Sequence, residues 1–90
     1  MPLLLVTYDS KKSRKDLSDL FDQLEKYSNV RLSKSSYIII TDKTPKIVCD
    51  QLKKYLGKKD NLYVISVKRP YEAFGPNLAN DWLYKELTYE

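Results

Sequence analysis

Leu3-Leu4-Leu5-Val6-Thr7-Tyr8-Asp9-Ser10 runs six apolar or strand-favouring residues directly into a carboxylate and a basic loop. An apolar run of this length, bounded by turn residues, suits a strand covered on both faces, since a helix needs more length and a period near 3.6. The stretch therefore predicts a central strand that delivers Asp9 to its C-terminal end. A carboxylate at the end of a rigid strand can serve chemistry, and it can equally turn the chain or cap a helix. Next comes Ser10-Lys11-Lys12-Ser13-Arg14-Lys15, which is either a solvated loop or a phosphate-contacting patch beside Asp9.

Leu17, Leu20, Phe21, Leu24 and Tyr27 then form one apolar stripe at helical spacing, with Asp16, Asp19, Asp22, Glu25 and Lys26 on the solvent side. Ser13 is the expected N-cap, Asp16 places negative charge in the first turn, and Ser28-Asn29 is expected to end the helix. Residues 30–32 and 36–41 predict a short, irregular hairpin around Ser33-Lys34-Ser35, with Tyr37-Ile38-Ile39-Ile40-Thr41 the strongest strand signal in the chain. A second helix starts at Thr44 as cap and Pro45 at the first helical position. Its expected buried stripe is Val48, Cys49, Leu52, Tyr55 and Leu56, with Gly57 as a left-handed stop. Residues 62–67 predict the fourth strand. The tail, residues 71–90, opens on Tyr71, Phe74, Gly75 and Pro76 and closes with a short helical pattern of Leu78, Trp82, Leu83 and Leu87.

Strand, helix, strand, strand, helix, strand predicts a single α+β domain over residues 1–90. The expected arrangement is ferredoxin-like βαββαβ, a four-stranded antiparallel sheet with two helices on one face and a short C-terminal helix. The strands are apolar on both sides, so the other face needs cover; the tail supplies part of it and a symmetric twin is the simplest source of the rest. A chain of 90 residues buries only about 60 to 65% of its unfolded surface, which makes a homodimer more valuable still.

The composition, 42% hydrophobic and 31% charged with two Gly and four Pro, is that of a folded domain. A single cysteine, Cys49, excludes an internal disulfide and is expected as a small core residue. The absence of His excludes Cys/His zinc sites and His-dependent triads. The N-terminal apolar run is short for a signal-peptide core and is followed by charge, which predicts a cytoplasmic protein with no membrane association. A formal charge of +4 leans towards polyanionic partners, with Lys11, Lys12, Arg14, Lys15, Arg31 and Lys34 as the expected nucleic-acid-binding rim.

These residues resemble the small CRISPR-associated adaptation proteins and their stand-alone SinR-like and VapD-like relatives. The resemblance lies in Val6-Thr7-Tyr8-Asp9 ending the first strand, Ser35-Ser36-Tyr37 opening the third, the segment 60–67 followed by Phe74-Gly75, and the closing Trp82-Leu83. It implies a ferredoxin-like homodimer in which Asp9 of the two protomers approaches the dimer axis and shares a divalent metal, magnesium or manganese, for phosphodiester hydrolysis. Two departures favour the stand-alone branch. Ser33 stands where adaptation members often carry glutamine, and loop 11–15 is not a recognisable catalytic loop.

Asp9 is thus the single catalytic and metal-ligating candidate, and no His, second acidic ligand or general base accompanies it. Whether the chain is a magnesium-dependent endonuclease stays open at this point, as does the choice between DNA and RNA. The alternative is a non-enzymatic protein-interaction dimer of toxin-like, regulatory or phage counter-defence type. An RNA-recognition module would carry a glycine-containing third-strand motif with several aromatics, and residues 35–41 hold only Tyr37 and no glycine.

Overall fold

A computed structural model describes residues 2–13 and 15–86; Arg14 and Leu87 lie outside the described residues. The elements are β1 (Leu3–Asp9), α1 (Ser18–Glu25), β2 (Ser28–Ser33), β3 (Ser36–Ile40), α2 (Pro45–Leu52), β4 (Asn61–Val67) and α3 (Asn77–Glu86). β1 is an inner strand. It pairs antiparallel with β3, Leu3 opposite Ile40 and Thr7 opposite Ser36, and with β4, Leu3 opposite Val67 and Asp9 opposite Asn61. The sheet order is β2-β3-β1-β4, all antiparallel, which is consistent with a ferredoxin-like fold.

Alternation along the strands sends successive side chains to opposite faces. Leu4, Val6 and Tyr8 join Tyr37 and Ile39 in one buried cluster with Leu17, Leu20 and Leu24 of the first helical segment and Val48 and Leu52 of α2. Leu20, Leu24, Val6, Val48 and Ile39 are fully buried, and each aliphatic side chain taken out of water contributes about 1.5 to 3 kcal/mol before the entropy of ordering it. The alternate residues Leu3 and Ile38 form a second cluster with Leu83 of α3, flanked by Leu5, Val30, Ile40, Val67, Tyr71 and Trp82. The C-terminal helix therefore shields part of the sheet face turned away from the first cluster. The β4 side stays open, with Tyr63 59% and Ile65 51% exposed.

The elements differ from the sequence expectation where local hydrogen bonding overrides periodicity. Ser13 does not cap α1: its Oγ accepts from the Asp16 N–H at 3.2 Å and its carbonyl from Leu17 at 3.1 Å, closing a separate turn before the helix. α1 ends at Glu25, and Ser28 and Asn29, expected to terminate it, already belong to β2. The hairpin is irregular as expected, with a register shift between Arg31 and Ser33. Thr44 caps α2 by accepting from the Ile47 N–H at 3.3 Å, ahead of Pro45.

α2 then tightens into a single 3-10 turn, Lys53–Tyr55, so no left-handed stop is needed and Gly57 has no positive φ. Gly57 instead admits close approach. A Cβ there would meet the Asp60 Oδ2 at 3.3 Å. Cys49 is half-buried and lies outside both clusters, since Val48 and Leu52, one turn apart, face the core and Cys49 sits to the side of them. Among the described residues no helix is long and apolar enough to cross a membrane.

Candidate nucleic-acid interface

Antiparallel pairing decides which loops meet. Thr7 lies opposite Ser36 and Asp9 opposite Asn61, so the β1–α1 loop, the β2–β3 turn and the segment before β4 all emerge at one end of the sheet. That end collects Lys11, Lys12 and Lys15 from the first loop, Lys34 from the turn, and Lys58 and Lys59 from the third; all six are exposed.

A carboxylate ties two of these loops together. Asp60 accepts from the Gly57 N–H at 2.7 Å, the Ser10 hydroxyl at 2.8 Å and the Lys11 N–H at 3.4 Å. Ser10 Oγ in turn accepts from the Lys12 N–H at 3.1 Å, and Lys12 Nζ donates to the Tyr55 carbonyl at 3.2 Å. The Gly57 N–H and then the Ser10 hydroxyl hold the Asp60 carboxyl below its ordinary value of 3.8, with lesser help from the Lys11 N–H and the Lys12 charge.

A depressed folded-state value stabilises the fold above the ordinary carboxylate range and loses that contribution as pH falls through the folded value. Wild type should therefore lose thermal stability relative to Asp60→Asn as pH drops from about 5 to below about 4, and the two melting curves should keep a constant offset above that window. Parallel pH profiles throughout would refute the latch.

The β2–β3 turn is held as firmly. Arg31 donates from Nε to the Ser33 carbonyl and from Nη2 to the Lys34 carbonyl, both at 2.9 Å. Its guanidinium carbon lies 5.6 Å from the Phe21 ring centre and 5.5 Å from that of Tyr37. The Tyr8 hydroxyl also donates to the Lys34 carbonyl, at 3.0 Å. Arg31 thus acts first as a clamp on the turn that presents Lys34.

Between this turn and the β1–α1 loop lies a cavity of about 370 Å³ bordered by Asp9, Lys12, Arg31 and Lys34, with Phe21 and Leu17 in its wall. Of the residues singled out from sequence, these four converge on one opening, while Lys11 and Lys15 are exposed on the adjoining loop. Lys58, Lys59 and Asp60 were not expected in the site. Their signal was topological: a ferredoxin-like arrangement pairs the first and last strands, as β1 and β4 pair here, and so sets the loop before β4 beside the end of β1.

Asp9 is the exposed last residue of β1. Lys12, not a second carboxylate, borders the cavity with it, and Asp60 is occupied by its three donors. Among the described residues no three His, Cys, Asp or Glu side chains converge. One protomer alone thus does not fit a divalent cation, which prefers several oxygen ligands. No family model, curated protein or solved structure matches the chain.

Proposed function

We propose that the chain is a ferredoxin-like domain that acts as a homodimer and binds nucleic acid through the lysine-bearing end of its sheet. The observation that carries this is the convergence of Lys11, Lys12, Lys15, Lys34, Lys58 and Lys59 on loops fastened by Asp60 and Arg31. The acidic residues of these same loops are Asp16 and Asp60, and the latter is spent internally. Ammonium groups gathered at one end of the sheet suit a phosphate backbone, which they read as charge and not as sequence. Fluorescence anisotropy with duplex DNA and duplex RNA, titrated from about 50 to 200 mM salt, should give steeply salt-dependent, sequence-independent binding. No binding at the lowest salt would refute this function. It would favour instead a protein partner seated on the exposed Phe74, Leu78 and Tyr84.

Asp9 enters this function as a negative charge among lysines. Asp9→Asn should leave the fold within about 1 kcal/mol of wild type, since asparagine ends strands and turns chains as well as aspartate does. Nucleic-acid affinity should rise severalfold as a repulsive charge is lost, and neither protein should cleave substrate with magnesium. Magnesium-dependent cleavage by wild type that disappears in Asp9→Asn would establish a nuclease whose metal is held by Asp9 of two protomers.

A further inference from the structure

A second cleft, of about 330 Å³, lies between the end of α1, the β3–α2 loop and the end of α2 with its 3-10 turn, and shares no lining residue with the sheet-end cavity. Among the described residues three lysines line it, Lys26, Lys43 and Lys54, and no carboxylate does. The ion pairs of α2, Lys46 with Asp50 at 3.0 Å and Lys53 with Asp50 at 3.1 Å, draw on none of the three. Both glutamines of the chain, Gln23 and Gln51, are in the lining as well.

The polar groups are arranged in advance. Lys43 Nζ donates to the Tyr27 hydroxyl oxygen at 3.2 Å and to Gln51 Oε1 at 3.3 Å, and the Tyr27 hydroxyl donates to that same Oε1 at 3.3 Å. An ammonium carries three N–H groups, so one is left to point elsewhere, and with Oε1 engaged the Gln51 amide offers its two N–H groups to an incoming acceptor. The Lys43 ammonium sits 5.3 Å from the Tyr27 ring centre and that of Lys54 5.4 Å from Tyr55. These contacts place both ammonium groups over aromatic rings.

We propose that this cleft binds a phosphomonoester of nucleotide size. A dianion matches the lysine charge better than a carboxylate would, and ammonium and amide N–H donors are groups that coordinate phosphate oxygens. Tyr55 and Gln23 supply a ring face and an amide edge for whatever the phosphate esterifies. The volume falls at the lower end of small-ligand pockets, which suits one nucleotide and not a polymer. The assignment is independent of the lysines at the sheet end.

The side-chain amide resonances of Gln23 and Gln51 give a local readout in a two-dimensional ¹⁵N NMR titration with AMP, ribose 5-phosphate and adenosine. AMP should shift both pairs saturably, and Lys43→Met should weaken its dissociation constant about tenfold, the effect of losing one charge-assisted hydrogen bond. Lys26→Met should weaken it in the same direction, and Lys58→Ala with Lys59→Ala should leave it unchanged. Equal affinity for ribose 5-phosphate supports the assignment with the phosphate alone recognised; tighter AMP binding supports it with the base recognised too. Absence of shifts with either phosphate at millimolar concentration overturns it. So does an AMP affinity indifferent to Lys43→Met, or an adenosine affinity equal to that of AMP.

Discussion

Replacing Lys11, Lys12, Lys58 and Lys59 together by alanine should lower affinity for duplex nucleic acid by about 100-fold or more at low salt, and should flatten its salt dependence. Each phosphate the protein ceases to neutralise removes about 0.9 from the slope of log affinity against log salt on duplex DNA, so four lost contacts remove about 3.6. All four side chains are exposed, and among the described residues the variant loses the Lys12 to Tyr55 hydrogen bond and should still fold. The control is Lys46→Ala with Lys53→Ala, which removes two lysines paired with Asp50 on α2. It lowers the net charge half as much, and a comparable loss of affinity would mean that total charge and not the sheet end carries binding. An unchanged slope in the fourfold variant would refute the interface.

The lysine pair at 58 and 59 also shows where sequence reading stopped. Lys11 and Lys12 were conspicuous as neighbours in a basic run, whereas Lys58 and Lys59 lie far along the chain. The pairing of Asp9 with Asn61 and the hydrogen bonds of Ser10 and Lys11 to Asp60 bring them to the same place. Arg31 was legible as a cation but not as a clamp, because its use depends on Phe21, Tyr37 and two turn carbonyls that no spacing rule joins.

β1, β3 and the α2 cap were legible for the opposite reason. Unbroken aliphatic runs leave few alternatives to a buried strand, and Thr44-Pro45 states a helix start within two residues. Helix ends were less legible. Ser13 and Gly57 carry strong capping signals, yet one closes a turn of its own and the other makes room for a carboxylate.

Ile65→Asp should convert a dimer into a monomer at micromolar concentration, and the sheet explains why this residue and not its neighbours. Ile38 and Ile39 present opposite faces of β3, and both are buried: Ile39 is 0% exposed in the cluster with α1 and α2, and Ile38 is 6% exposed beneath α3. α3 reaches only part of the sheet face, and it leaves Tyr63 and Ile65 of β4 in water. Ile65, opposite the half-buried Leu5, and Tyr63, opposite Thr7, make one strip, and they lie on a strand that is also a sheet edge.

An exposed apolar strip on an edge strand is what self-association covers, by packing faces or by extending the sheet. A charge at the centre of such an interface should weaken association by about 100-fold or more, as for a buried anchor residue. The monomer should keep its melting temperature within a few degrees, because Ile65 is already half in water. Ile39→Asp should instead unfold the chain, since it places an unpaired carboxylate in a dry core. Analytical ultracentrifugation of wild type, Ile65→Asp and Ile39→Asp, read beside their circular dichroism, separates the outcomes. Wild type sedimenting at the mass of one chain at about 100 μM, well above the working range of a specific homodimer, would rule the twin out and leave Tyr63 and Ile65 as surface for a different protein.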